Sequence, residues 1–471
     1  MIRYTAIIFI LAILVVGGCK VGPNYEAPVI ETSASFMYDS LMGDSTLNIA
    51  WWELFDDEQL DTLIKTALAN NLSVLQAASK VNEAMAYLGF NQANLWPALG
   101  YNGNVLVPDN SKINPMGSSL TAGIVWELDF WGKFRRANES ARAELLASQY
   151  AQRWIYVNLI TEVAGTYFAY LDFKQRHDIS VRTLASRQES LRIIGARFEK
   201  GIAPELDLNQ AQIQEAIAAA AIPQNRRLMA ITENTLSLLL GQHPRSLLID
   251  TKLGEVEPPS EIPVGIPSEI LARRPDVRQA EQMLIAQNAR IGVAQAMRFP
   301  SISLTGIFGA ASPELGSLLS SNSLGWSAAA GLVGPVFEFG KNKRRVEIER
   351  FRTEQAMYGY EQSILLALAD VDDALISLQT NEQALVAVTR QMKAAMNANL
   401  LSKERYDGGV TSYLEVLDSE RTLFNAELLA SSTYRLQLIS YVQLYKSLGG
   451  GWITPEERQA EEDATETTAG N

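Results

Sequence analysis

The chain of 471 residues is poor in the groups on which most enzyme and metal chemistry depends. It has a single cysteine, Cys19, and two histidines, His177 and His243. That leaves little from which to build a His/Cys metal site or a Cys–His nucleophile. No G-x-S-x-G nucleophile elbow, H-E-x-x-H metal motif or G-x-x-x-x-G-K-[ST] phosphate loop occurs. Counting alone still leaves a carboxylate-pair hydrolase open, because there are 53 acidic residues. A basic surplus is also missing: 40 Lys and Arg give a net charge of −13, which argues against a nucleic-acid partner. No run of 18 or more apolar residues appears, so a membrane-spanning helix is not expected. A β-barrel is then the one remaining way to cross a bilayer.

What the chain does have begins at its N-terminus. Arg3 and the apolar stretch 6–16 have the lengths of a secretory leader's first two regions. Gly17 and Gly18 then precede Cys19. Val16-Gly17-Gly18-Cys19 resembles a bacterial lipobox, which makes residues 1–18 a lipoprotein signal peptide and Cys19 the lipidated first residue, carrying palmitate or a similar chain. Lys20, in place of Asp, looks like an outer-membrane address. Acyl chains on Cys19 would anchor the chain at about 0.8 kcal/mol per buried CH₂.

The rest is one plan used twice. Asn94-Leu95-Trp96-Pro97 precedes Trp126-Glu127-Leu128-Asp129-Phe130-Trp131-Gly132-Lys133; Met297-Arg298-Phe299-Pro300 precedes Val336-Phe337-Glu338-Phe339-Gly340-Lys341. Farther on, Arg197-Phe198-Glu199-Lys200-Gly201-Ile202 matches Arg405-Tyr406-Asp407-Gly408-Gly409-Val410, and Leu206-Asp207-Leu208 matches Leu414-Glu415-Val416. Gly132 to Gly201 and Gly340 to Gly409 are both 69 residues. Neither stretch contains proline, and each predicts one helix on the order of 100 Å long at 1.5 Å per residue. Ile160, Val163, Ala164, Tyr167, Tyr170, Leu171 and Lys174 mark a packed face at helical spacing. A second helix returns after each terminal glycine, over residues 204–240 and 412–448. Shorter helices are expected at 58–95 and 268–297, ended by Pro97 and Pro300.

Between each proline and glycine the hydrophobic period changes to two. Leu120, Ala122, Ile124, Trp126, Leu128 and Phe130 alternate with Thr121, Gly123, Val125, Glu127 and Asp129. Ile302, Leu304 and Phe308 alternate with Ser301, Ser303 and Thr305, and residues 324–333 alternate likewise; residues 99–107 make a weaker strand. Strands of about ten residues with one apolar face suit a membrane barrel wall or a soluble half-buried hairpin. Four strands cannot close a barrel in lipid without leaving unpaired edges, so strands from several chains must combine. Two copies would give 8 strands and three would give 12.

In this order, Cys19, Val21-Gly22-Pro23-Asn24-Tyr25-Glu26-Ala27-Pro28, Trp51-Trp52-Glu53-Leu54-Phe55, Leu271-Ala272-Arg273-Arg274-Pro275-Asp276-Val277 and the duplicated glycine turns resemble the TolC-type outer-membrane factors, specifically their OprM-like lipoprotein branch. Trp131 is bulkier than is usual at its place. The resemblance implies a mainly α chain with a membrane β-barrel, four strands per chain completing a 12-stranded homotrimeric barrel above a long α-helical periplasmic tunnel. It implies no catalysis and no cofactor, only the covalent lipid on Cys19. The implied role is the passive exit duct of a tripartite efflux system in the outer membrane of a Gram-negative bacterium. Its partners would be outer-membrane lipid, a periplasmic adaptor and an inner-membrane RND-type pump of the multidrug kind. The expected segments are an N-terminal lipidated extended stretch 19–57, a first repeat 58–261 (β-hairpin 98–130, helical hairpin 133–240), a second repeat 262–453 (β-hairpin 301–337, helical hairpin 341–448) and an acidic, disordered tail 454–471.

The resemblance also assigns sites. Gly201, Ile202 and Ala203 in tip one and Gly409, Val410 and Thr411 in tip two would receive adaptor hairpins. Glu415 and Asp418 would ring the periplasmic entrance as a gate with Tyr406, favouring cations and offering oxygen ligands to divalent ions; Arg405 is a partner by proximity. Without the resemblance, Glu415 and Asp418 read as acids at a solvated helix start, and the glycines as turn residues. Two other functions compete: the outer-membrane duct of a type I protein secretion system, and a lipid-anchored periplasmic coiled-coil scaffold without a pore.

Overall fold

The structure is a computed structural model that describes residues 20–28, 36–37, 50–105, 117–259, 271, 273–312 and 315–450. The leader, Cys19 and the acidic tail lie outside the described residues. Among those described, the helices are α1 (Glu58–Asn70), α2 (Leu72–Ala93), α3 (Lys133–Glu199), α4 (Glu205–Leu239), α5 (Pro275–Ala296), α6 (Lys341–Asp407) and α7 (Tyr413–Ser447). The strands are β1 (Ala98–Asn104), β2 (Ser118–Leu128), β3 (Ser301–Ser312) and β4 (Leu324–Val333). Helices α3 and α6 are each 67 residues long, and α4 and α7 each 35, so the duplication read from the glycine spacing holds at the level of whole elements. None of these helices is long and apolar enough to cross a membrane.

The chain divides into two compact units, each assembled from both halves of the sequence. One comprises Met1–Ile30, Ser79–Tyr150 and Arg278–Ser363; the other comprises Glu31–Ala78, Ala151–Val277 and Ile364–Asn471.

The first unit holds the sheet, antiparallel throughout in the order β1-β2-β3-β4. Its register sorts the side chains, because directly opposed residues share a face. Tyr101, Ala122, Phe308 and Trp326 form one row across all four strands, and Leu99, Ile124, Gly306 and Ala328 form the next. The opposite face carries Asn102, Thr121, Gly309 and Gly325, then Gly100, Gly123, Ile307 and Ser327. The apolar rows are left open to solvent: Tyr101 is 89% and Trp326 79% exposed. In the same unit Arg136, 1% exposed, ties down the N-terminal segment. It donates to the carbonyls of Val21 and Gly22 and to Asn24 Oδ1, at 3.1, 2.8 and 3.0 Å. Gly22 (φ 101°) lies so close to Gly292 that a Cβ would fall 2.4 Å from its Cα, so this contact requires glycine.

The second unit holds the main apolar core. Ile160, Val163, Ala164, Tyr167, Tyr170 and Leu171 are all buried, as the spacing predicts, and Lys174 donates to the Ile249 carbonyl at 2.5 Å. They pack with Leu60, Ile64, Leu236, Leu438 and Val442. Within the stretch expected to be extended, Trp51–Phe55 forms a 3₁₀ turn, and Trp51 stacks on Tyr445 at 5.2 Å.

Two helices differ from expectation. The helix expected over 58–95 is broken at Asn71, whose backbone is extended (ψ 128°). Its Oδ1 accepts from the Ser73 amide at 2.8 Å, capping α2, while its Nδ2 donates to the Leu239 carbonyl at 2.8 Å. The amide thus satisfies two helix ends at once, which stabilises the break. The helix expected from residue 268 has its first residues, 268–270, outside the described ones; Leu271 and Arg273 are helical, Arg274 is not, and α5 runs from Pro275, a residue suited to a first helical turn.

Candidate functional site

The two helical tips are built alike. After α3, the Gly201 amide donates to the Phe198 carbonyl and the Ile202 amide to the Arg197 carbonyl, at 2.8 and 2.9 Å. After α6, the Gly409 and Val410 amides bond the Tyr406 and Arg405 carbonyls, at 3.0 and 2.9 Å. Gly201 and Gly409 take φ of 71° and 69°, the left-handed conformation that ends a helix in this way. Each turn therefore presents its next residue outward: Ile202 is 70% and Val410 69% exposed. Leu206 and Leu414, which begin the returning helices, are exposed as well. The family resemblance singled out Ile202 and Val410 as adaptor contacts but passed over Leu206 and Leu414, although their matched motif was visible in the sequence. Ala203 and Thr411 follow in the same turns, and the Thr411 hydroxyl donates to Glu415.

The residues expected to form a gate lie at tip two, with partners inside the chain. Glu415 Oε1 accepts from Arg405 Nε at 3.1 Å, so the proximity of these two in sequence becomes an ion pair across the turn. Asp418 pairs with Arg421 at 2.6 Å, one turn along α7, where residues three apart are neighbours. Both carboxylates remain accessible. Tyr406 packs against the Tyr413 ring at 5.5 Å, and the Arg197 guanidinium from the other tip lies over it at 4.7 Å. A groove of about 330 Å³ beside these groups is lined by Gln210, Ile213, Gln214, Leu414, Leu417, Asp418 and Arg421.

Behind the tips lies a layer that sequence reasoning missed. Ile194, Ala211, Tyr413, Val416 and Leu417 form a small buried cluster. Next to it Glu420, 6% exposed, accepts from Lys403 Nζ at 2.8 Å, and Arg187, 2% exposed, donates to the Gln214 carbonyl at 2.6 Å over the Phe424 ring. Burial pushes the Arg187 guanidinium below its ordinary value, with nearby Glu420 opposing the shift. Burial, with Glu420 nearby, pushes the Tyr413 hydroxyl well up, so it stays protonated. Charged residues in long amphipathic helices look like a solvated face, and only the four-helix packing separates these three from the rest. Among the described residues, no group of three or more His, Cys, Asp or Glu side chains is placed to hold a metal ion. His243, in the connector after α4, is exposed.

Comparison with known proteins agrees with this geometry. The model of the outer membrane efflux protein family matches residues 63–242 and 266–450, one stretch in each half. The chain is 32% identical over 450 residues to the cation efflux system protein CusC of Escherichia coli O6:H1, covering 93% of this chain and 97% of that protein. It is 32% identical over 472 residues to the antibiotic efflux pump outer membrane protein ArpC of Pseudomonas putida, covering 97% of each. The open-state structure of the MtrE outer membrane channel of Neisseria gonorrhoeae superimposes with a TM-score of 0.84 at 29% identity, over 92% of this chain and 99% of that one. A duplicated chain with a four-stranded sheet, paired 67-residue helices and matched glycine tips belongs to the outer membrane efflux protein family.

Proposed function

We propose that three copies of this chain close a 12-stranded barrel in the outer membrane and form the passive exit duct of an efflux system. The observation that carries this is the sheet: four antiparallel strands, apolar on one face and mostly small or polar on the other, with exposed residues on both, such as Tyr101 and Trp326 on the first and Val125 and Val333 on the second. Among the described residues β1 and β4 have no outer neighbour. Unpaired N–H and C=O groups on a lipid-facing edge cost several kcal/mol each, on the order given by transfer to an apolar medium, so the wall needs further copies. Acylated Cys19 anchors the assembly, and the clamp at Arg136 holds the segment just after it.

The tips serve as the docking end. Ile202, Val410, Leu206 and Leu414 offer apolar anchors to a periplasmic adaptor, which links the duct to an energised inner-membrane pump of the RND type. The family resemblance and the absence of a phosphate-binding loop motif in the chain support that division of labour. Glu415, Asp418 and Tyr406 form the periplasmic gate, and the exported cargo follows from the pump. No cofactor or catalysis is required.

Single-channel recording tests the reading. Purified, lipidated protein in a planar bilayer is expected to give discrete current steps without nucleotide. Assembled material that stays electrically silent would make the chain a scaffold and overturn the duct.

A further inference from the structure

The duplication gives each residue of one helical hairpin a counterpart in the other. Gly132 and Gly340 are 208 residues apart, as are Gly201 and Gly409, and the returning helices α4 and α7 keep the same offset. Chains built this way face a pairing problem. Two hairpins of equal length must pack first repeat on second, and not on their own likeness in another copy. Apolar burial discriminates weakly between such partners, because hydrophobic attraction is non-directional.

One layer of the bundle differs between the halves at each position. Arg187 on α3 and Gln214 on α4 come from the first hairpin; Lys403 on α6, and Glu420 and Phe424 on α7, come from the second. The Arg187 guanidinium lies over the Phe424 ring at 5.0 Å, with Glu420 close enough to act on its charge. Glu420 Oε1 accepts from Lys403 Nζ at 2.8 Å and from the Ser190 hydroxyl at 3.4 Å. By the 208-residue offset, Arg187 is matched by Ala395, Gln214 by Thr422, Lys403 by Gly195, Glu420 by Gln212 and Phe424 by Ala216. None of the five counterparts is charged.

Cohesion does not account for this layer. Arg187 Nε and Nη2, Gln214 Oε1 and Glu420 Oε2 are buried without a hydrogen-bond partner among the described residues. Each such group costs stability, and apolar side chains of similar volume in place of buried charges are often neutral or stabilising. Discrimination does account for it. If a first-repeat hairpin of another copy took the place of α6 and α7, Arg187 would meet Gln212, Gly195 and Ala216, with no carboxylate and no ring. If a second-repeat hairpin took the place of α3 and α4, Glu420 would face Ala395 and keep only Lys403 of its own hairpin. A polar group at one packed position selects partners in this way in coiled coils.

We propose that Arg187, Glu420 and Lys403 form a partner-selection key, which admits the second-repeat hairpin beside the first and rejects like-with-like pairing between copies. The proposal rests on the trimeric duct reading and specifies how its hairpins find their order. Leaving a buried guanidinium without its carboxylate is among the costlier changes, so the intact layer disfavours like pairing on the order of a hundredfold or more. The two orders differ in closure. Like-with-like contacts are two-fold and close in even numbers of copies, whereas first-on-second contacts run head to tail and close a ring of three.

The full-length, lipidated protein carrying Arg187→Met, Lys403→Met and Glu420→Leu together tests the key. In detergent its far-UV circular dichroism melting temperature should be no lower than that of the unmodified protein. Native mass spectrometry of the same sample should show dimers and tetramers beside trimers. Glu420→Leu alone, which leaves Arg187 without a carboxylate, should lower the melting temperature. A triple variant that remains exclusively trimeric would overturn the key. A triple variant that melts lower would make the layer ordinary cohesion and overturn it equally, as would Glu420→Leu protein as stable as the unmodified chain. Unmodified protein that forms no trimer would instead remove the duct reading itself.

Discussion

Arg274→Ala is expected to abolish accumulation of the folded protein. The guanidinium is 1% exposed and holds three strands of contact together: Asp276 at 2.7 Å, Asp370 at 2.8 Å, and the Ser447 carbonyl at 3.0 Å. It also lies over the Trp154 ring at 5.4 Å. Burial alone would push the guanidinium down, and Asp276 and Asp370 more than offset it, so its pKa lies above the ordinary value. Truncation leaves two carboxylates and two buried carbonyls without their donor. Asp276 and Asp370 keep access to water, at 23% and 51% exposure, so the cost falls on the buried Ala367 and Ser447 carbonyls that lose their donor and on the space vacated under Trp154. Each unsatisfied buried group costs about 1–3 kcal/mol, against about 5–15 kcal/mol for a whole domain's stability. Outer-membrane abundance and the far-UV circular dichroism melting curve both read the effect. Arg192→Ala, which breaks the solvent-exposed pair with Glu189, serves as the control and should leave both unchanged. Equal behaviour of the two variants would mean that Arg274 is not the tie described.

Glu415→Ala combined with Asp418→Ala is expected to raise single-channel conductance and weaken cation preference. Each copy then loses two accessible carboxylates and keeps their partners Arg405 and Arg421. Exposed ion pairs contribute about 0.2–1 kcal/mol each, so six pairs in a trimer amount to roughly 1–6 kcal/mol. If they favour the closed tip, the open population grows on the order of tenfold or more. In the proposed trimer selectivity changes for a separate reason, since removing like charges that three copies bring to one axis weakens the negative potential there. Planar bilayer recordings in asymmetric salt separate the two effects. Conductance and reversal potential both equal to those of the unmodified protein would remove Glu415 and Asp418 from the gate.

Much of the fold was legible because the chain repeats its punctuation. Gly132, Gly201, Gly340 and Gly409 all take positive φ, and the long helices lie between them. Strand β4 matches its alternating stretch at both ends, Leu324–Val333. One pair of the same kind went unused: Gly241 and Gly449 also take positive φ and end the returning helices. The break at Asn71 was not legible, because its stability depends on the Leu239 carbonyl, distant in sequence. At the tips, residue identity located the carboxylates, but their pairing with Arg405 and Arg421 depends on rotamers and on the shape of the turn. Arg187 and Glu420, with the half-buried Lys403 that pairs with Glu420, were hidden for a related reason: periodicity identifies an apolar stripe, and a charge buried between four helices carries no periodic mark.

Native mass spectrometry of the detergent-extracted, lipidated protein tests the central claim most directly. The account predicts three copies in every particle that also conducts in a bilayer. A conducting particle containing one copy would show that a single chain closes its own wall, contrary to everything inferred from the two free sheet edges.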